Sequence, residues 1–219
     1  MLKRISIRTG LLALLALMTM LLLVVSVMGI IAIQKGNRSL DVINRIQGIE
    51  LNALYMSNGN LLRARATAAL AIRKLEVGLP DEAGSIATRS ASYVALSESE
   101  LKRFVDAGTV TEHGRVLAEA VVTTHRDYVA KGISPLMDAL KRENVDDYYT
   151  VLEGDLSHLA GKFSSAVDAF GQYADEVSEQ QMAQAAHNQL LMTVLILVSG
   201  ALTLLLVALA WMILRVMLL

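Results

Sequence analysis

Cysteine is absent from the 219 residues. That excludes a disulfide scaffold, a thiol nucleophile and any zinc or iron–sulfur site built on thiolates. Proline occurs only twice and aromatic residues make up 5% of the chain. So little of either argues against a turn-rich β-sandwich and for long helices rich in Leu, Ala and Val. A charge excess is missing too. The formal net charge of −1 gives no electrostatic case for nucleic acid as a partner. Catalytic constellations are also lacking. His113, His125, His158 and His187 are dispersed, and no Glu-x-x-His, His-Glu-x-x-His, Walker loop or nucleophile elbow occurs. The chain reads as a non-enzyme with no cofactor and no metal.

Two long apolar runs stand out. Residues 11–33 contain no charge over 23 positions, and residues 190–214 contain none over 25. A helix crosses the ~30 Å hydrocarbon core in about 20 residues, so each run is long enough to span a membrane. All 21 acidic residues lie between the runs, with sixteen of the 20 basic ones, giving residues 34–189 a net charge of −5. The remaining cations are Lys3, Arg4 and Arg8 before the first run and Arg215 after the second. Basic flanks stay cytoplasmic, so both ends read as cytoplasmic and the middle as exported. Trp211 stands near the inner end of the second span, where an indole suits the interface. A cleaved signal peptide is the competing reading of the first run. Its apolar length exceeds the 7–15 residues of a signal core, and no clean small-x-small site follows, so it reads as a retained anchor.

The segments are therefore a cytoplasmic N-terminus (1–10), a transmembrane helix (11–33), an exported domain (34–189), a second transmembrane helix (190–214) and a cytoplasmic stub (215–219). The exported domain breaks at Gly78-Leu79-Pro80-Asp81, at Gly108 to Glu112 and at Glu143-Asn144-Val145-Asp146. Pro80 with Asp81 and Glu82 suits a first helical turn. Thr109 and Glu112 have capping-box spacing, and Asn144 is a plausible N-cap. Helices are expected near 34–76, 82–107, 111–143 and 145–189, with a kink at Gly132 and Pro135. The fourth has an unbroken seam: Tyr149, Leu152, Leu156, Leu159, Phe163, Ala166, Phe170, Tyr173 and Val177. The expected fold is all-α: an up-down-up-down four-helix bundle inserted between two transmembrane helices.

The first helix of this bundle carries cations where packing wants apolar residues. Arg65 falls on the seam Leu51, Leu54, Asn58, Leu61, Arg65, Ala68, Ile72 and Leu75. A parallel seam, Val42, Ile46, Ile49, Ala53 and Met56, turns polar at Asn60, Arg63, Thr67 and Lys74. A guanidinium out of water needs an anionic or hydrogen-bonding partner. That partner is either an acid of the same bundle or an anionic ligand. Arg65 and Lys74 are nine residues apart and point to opposite sides of one helix. Only two copies side by side, in a homodimer, bring both to one small anion. At the start of the fourth helix, one of Tyr148 and Tyr149 belongs to the core and the other is free to line a pocket.

This layout resembles the sensor region of bacterial methyl-accepting chemotaxis receptors of the aspartate and serine type, over essentially the whole chain. The local matches are Leu61-Leu62-Arg63-Ala64-Arg65 and Asp147-Tyr148-Tyr149-Thr150. In that family a Leu-x-x-Arg stretch, here Leu62 to Arg65, supplies the arginine that holds the ligand carboxylate. Paired aromatics open the fourth helix. The resemblance implies a homodimer in the bacterial inner membrane with a periplasmic ligand-binding domain and a small carboxylate as ligand. It implies Arg65 as the anchor, with Lys74, or Arg73 in a register shifted by one, supplied by the partner subunit. Tyr149, Val151 and Glu153 align with the helix-four contacts, and Tyr148 is the companion aromatic. The family's second arginine falls at Leu70, which turns expectation toward an organic or aromatic acid. Glu153 would either receive an amino group or mark a subsite that is not used. Receptors of this family continue into a cytoplasmic signalling domain that engages a kinase complex. This chain stops at Leu219, so that output is expected from outside it. Sensors of histidine kinases or cyclic-nucleotide enzymes share the layout, and a ligand-free structural bundle is the alternative of a different class.

Overall fold

The computed structural model describes residues 7–109 and 111–218. The basic residues Lys3 and Arg4, Val110 in the second break, and Leu219 lie outside them. Every regular element is helical; no strand occurs among the described residues. The elements are α1 (Ile7–Ile43), a π-helical segment (Asn44–Leu51), α2 (Asn52–Glu76), α3 (Pro80–Ala107), α4 (Glu112–Tyr128), a second π-helical segment (Val129–Ile133), α5 (Ser134–Lys141), α6 (Val145–Glu153) and α7 (Leu156–Leu218).

The residues fall into two compact units. One holds the described residues up to Asp41 together with those from Gln180 onward. It contains the two stretches apolar and long enough to cross a membrane. Most of their described large side chains are exposed, Leu22 at 66% and Leu204 at 73% for example, and none is buried. An apolar surface of this extent belongs in hydrocarbon rather than water. Near the C-terminal end of the second stretch the Arg215 guanidinium stands 5.4 Å from the Trp211 ring centre, within cation–π range.

The other unit, Val42–Glu179, is the four-helix bundle. Its turns follow the expected chemistry. Pro80 starts α3 with Asp81 and Glu82 in the first turn. The Asn144 side chain caps α6 by accepting from the Asp147 amide at 3.0 Å. At the middle break the cap is Thr111 rather than Thr109; its hydroxyl accepts from the Gly114 amide at 3.0 Å. The same hydroxyl lies 2.8 Å from that of Tyr173 on α7. Gly114 has to be glycine for that contact: a Cβ there would stand 2.6 Å from the Tyr173 ring. Phe104, Tyr128, Tyr148, Phe163 and Phe170 are fully buried in the core, each contributing about 1.5–3 kcal/mol of burial. Phe104 and Phe170 meet edge to face at 4.9 Å.

Three departures from plain helical periodicity decide which residues face inward. The π-helical turn at Asn44–Leu51 advances the phase of the chain, because each turn there holds more residues than an α-turn. Ile49, expected on the seam, is 40% exposed, and Glu50 is buried in its stead. The second π segment, Val129–Ile133, sits just before Pro135, where the expected kink was placed; proline lacks the N–H that an α-turn needs. Lastly, the fourth helix is not continuous. It breaks at Gly154 and Asp155 between α6 and α7. The seam resumes as expected at Leu156, Leu159, Phe163 and Phe170. Before the break the register is shifted by one: Tyr148 is buried and Tyr149, expected on the seam, is 36% exposed. On α3 the expected Leu96 is exposed and Ser90 and Ser97 are buried.

Candidate ligand-binding site

Residues 51–75 contain Arg63, Arg65, Arg73 and Lys74 and not one acid. Alanine dominates the inner face, with Ala53, Ala64, Ala68 and Ala71 buried. Small side chains let α3 approach closely, so longer neighbours on the flanks are squeezed outward. Arg65 is one of these, half-buried at the edge of the bundle. With Leu62, Ala66 and Ala69 of α2, Leu136 of α5, and Tyr148 and Leu152 of α6 it lines a hollow of about 310 Å³. That is at the lower end of the range for small-molecule sites. The wall is mainly apolar and holds one cation.

The guanidinium is not neutralised from within. Among the described residues no carboxylate lies within 4.0 Å of Arg65, although nine other ion pairs form. Its charge acts instead on two phenols. Burial pushes the Tyr128 hydroxyl above its ordinary range, and Arg65 pulls it part of the way back. Burial likewise pushes Tyr148 up to about 12, again against Arg65. The Tyr128 hydroxyl is buried with no hydrogen-bond partner of normal geometry.

The other expected site residues are placed as follows. Lys74 is half-buried and paired with Glu82 of α3 at 2.6 Å. Arg73 is exposed. Tyr149 points away from the core, and its hydroxyl donates to Glu76 Oε1 at 2.8 Å; that bond holds its pKa above the ordinary value. Val151 is half-buried and packs on the core. Glu153 is exposed at the end of α6, outside the lining of the hollow. The structure therefore brings Arg65 and Tyr148 together. It leaves Arg73, Lys74, Tyr149, Val151 and Glu153 out of the hollow of a single subunit. Leu62, Ala66, Ala69, Leu136 and Leu152 are the lining residues beyond those expected. Leu62 was quoted in the sequence match, but nothing in the apolar pattern separates Leu136 from ordinary core.

Two further polar groups lie inside the bundle. Ser57 of α2, Ser97 of α3 and His125 of α4 form a closed buried layer. The Ser57 and Ser97 hydroxyls are 2.8 Å apart, the Ser57 hydroxyl donates to the Ser97 carbonyl at 2.9 Å, and the Ser97 hydroxyl is 3.0 Å from His125 Nε2. The imidazole packs edge to face on Phe163, and burial pulls its pKa down to about 4, so it is neutral. Glu50, at the π-helical turn, is fully buried with neither carboxyl oxygen hydrogen-bonded. Burial pushes it up to about 7 against the pull of Arg45, whose Nε is 3.5 Å away. Arg45 also donates to the Ala107 carbonyl at the end of α3.

No curated protein and no solved structure matches the chain. The family model described as the Tar ligand binding domain homologue matches residues 1–177, which take in the first apolar stretch and almost all of the bundle. With its all-helical bundle and two apolar helices, this chain belongs to the Tar ligand binding domain homologue family, the periplasmic sensor domain of chemoreceptors.

Proposed function

We propose that this is the sensor region of a bacterial transmembrane chemoreceptor that binds a small carboxylate at Arg65. One observation carries the reading: a half-buried guanidinium with no internal counter-charge borders a hollow of ligand size. A ligand-free bundle would need an acid of its own beside Arg65, and none lies within ion-pairing distance. A carboxylate offers the guanidinium a bidentate acceptor, and the apolar wall takes the carbon skeleton.

The site works in a homodimer. The outward face of α2 carries exposed Tyr55 and Leu62, with Gly59, Ala66 and Ala69 between and beyond them. Such a face suits close packing of a second copy, and it places the hollow at the interface. Arg73, exposed and free of ion pairs among the described residues, is the cation best disposed to reach across. Lys74 would first have to leave Glu82. The basic flanks, Lys3, Arg4, Arg8 and Arg215, put both ends in the cytoplasm and the bundle in the periplasm. Binding between α2, α5 and α6 favours one packing of the bundle over another, and α7 carries that bias toward the apolar stretch and an output domain or kinase complex beyond it.

Calorimetry of the full chain in lipid nanodiscs, against a panel of organic acids and amino acids, tests this. At least one carboxylate should bind, and Arg65→Ala should weaken it about 100-fold, the size of a lost charge-assisted pair. Undiminished binding by Arg65→Ala would place the site elsewhere.

A further inference from the structure

Glu50 is the one buried carboxyl group among the described residues, and neither of its oxygens has a hydrogen-bond partner. The π-helical segment Asn44–Leu51 is what turns it inward. An ionised carboxylate in such a place is costly, whereas the protonated form is far less so.

Arg45, on the same segment, is pulled two ways. Its Nε lies 3.5 Å from Glu50 Oε1, within ion-pair distance but without a hydrogen bond. Its terminal nitrogen donates to the Ala107 carbonyl and, at 3.2 Å, to the Gly108 carbonyl. Those carbonyls end α3, where the last turn offers them no N–H and the helix dipole favours a cation. Gly108 suits the contact: its φ is +65°, and a Cβ there would stand 3.2 Å from the Arg45 nitrogen. The guanidinium is thus engaged on α3, and Glu50 is left without a donor. The Arg45 side chain is 47% exposed, so solvent lies one side chain away from the buried carboxyl.

Arg45 is the one charge acting on Glu50. The groups on the neighbouring elements are engaged elsewhere. On α3, Arg103 pairs with Glu100 and Lys102 with Asp106. On α7, Asp175 accepts from Gln47 at 3.0 Å, and the Tyr173 hydroxyl meets that of Thr111. On α4, the His113 ring packs edge to face on Tyr173. On α2, residues 52–62 carry no charge, and their one titratable side chain, Tyr55, is half-exposed.

We infer that Arg45 and Glu50 form a proton-operated clamp at the end of the bundle where the chain enters and leaves it. With Glu50 protonated, Arg45 holds the end of α3. With Glu50 ionised, Arg45 turns to the carboxylate and releases the Ala107 and Gly108 carbonyls. Burial pushes Glu50 up to about 7, so the exchange falls near neutral pH. The folded value lies above the ordinary one, so the closed clamp retains the proton and rising pH opens it. The inference does not rest on the carboxylate reading, because neither Arg45 nor Glu50 lines the Arg65 hollow.

The chain has no cysteine, so one introduced cysteine carries one nitroxide label, and its mobility reports on the folded protein alone. Val105→Cys places the label on the last turn of α3 and Leu96→Cys places a control further back on the same helix; both positions are exposed. Spectra of the full chain in lipid nanodiscs are taken between about pH 5.5 and 8.5. The mobile fraction at position 105 should rise along a one-proton curve centred near pH 7, and that at position 96 should stay constant. Glu50→Gln should abolish the rise and leave the label immobile throughout. Arg45→Ala should leave it mobile throughout. Infrared difference spectra of the unsubstituted protein give a second reading: the band of a protonated carboxyl should be present at the lower pH and lost at the upper. A label at position 105 that ignores pH, a rise that survives Glu50→Gln, or an equal rise at position 96 overturns the clamp. So does a carboxyl band that is the same at both ends of the range.

Discussion

The bundle treats buried polarity in two opposite ways. In the Ser57–Ser97–His125 layer each side chain has its partner inside the protein, and the histidine is held neutral. Around Arg65 the partners are missing: the guanidinium has no acid and the Tyr128 hydroxyl has no acceptor. A closed network locks three helices in register and gives stability. An open one costs stability, and a protein retains it where something from outside completes it. The difference teaches that function is to be sought where hydrogen-bonding capacity is left over, not simply where polar residues are buried.

The largest effect that would sharpen this contrast concerns pH. Glu50 is a third case: a buried acid held at about 7 against an ordinary 4.5. Its neutral form suits the fold, so its contribution is full below pH 4.5 and is lost as pH rises toward 7. His125 is held at about 4 against 6.5; its contribution is full above pH 6.5 and is lost as pH falls toward 4. Each shift corresponds to about 3 kcal/mol, and the two slopes oppose each other over the same window. Wild-type stability should be nearly flat between pH 4.5 and 6.5. Glu50→Gln should leave stability rising with pH, and His125→Gln should leave it falling. Urea denaturation across that range reads both slopes. Parallel curves for all three proteins would show that neither group is held as described.

Smaller effects separate the closed network from the open one. Ser97→Ala breaks bonds to both Ser57 and His125 and should cost about 1–2 kcal/mol of stability. Tyr128→Phe removes a hydroxyl that has no hydrogen-bond partner of normal geometry and should be neutral or slightly stabilising. A loss for Tyr128→Phe as large as that for Ser97→Ala would mean that the phenol is satisfied within the bundle. Smallest is the Lys74–Glu82 pair, which joins a half-buried and an exposed side chain. Glu82→Ala should cost at most about 0.5 kcal/mol. A larger loss would make Lys74 a structural residue and end its candidacy for reaching a ligand.

Much of this architecture was legible from patterns that depend on a single helix. The apolar runs, the Pro80 start, the Asn144 cap and the Leu156-to-Phe170 seam needed only local chemistry. What stayed hidden depends on phase. A π-helical turn carries no strong sequence signature, so Ile49 reads as inward, when it is exposed and Glu50 is buried in its place. The break at Gly154 shifts the register by one and exchanges Tyr148 for Tyr149. Ser57, Ser90 and Ser97 were passed over because a hydrophobic seam is sought among apolar residues, while closely packed helices accept small polar ones. At the site, Arg65 was visible as a cation on a seam, and Tyr148 beside it was one of two equivalent choices. Leu136 and Leu152 come from other helices. No spacing within α2 could have announced them, nor the missing partner of the Tyr128 hydroxyl.

The most direct measurement compares thermal unfolding of the wild type and Arg65→Leu, each alone and with succinate or 3-phenylpropanoate. An arginine kept for a ligand predicts a variant at least as stable as the wild type without the acid. It also predicts that the acid raises the melting temperature of the wild type only. An Arg65→Leu protein that melts well below the wild type, or that is still stabilised by the same acid, would contradict the account.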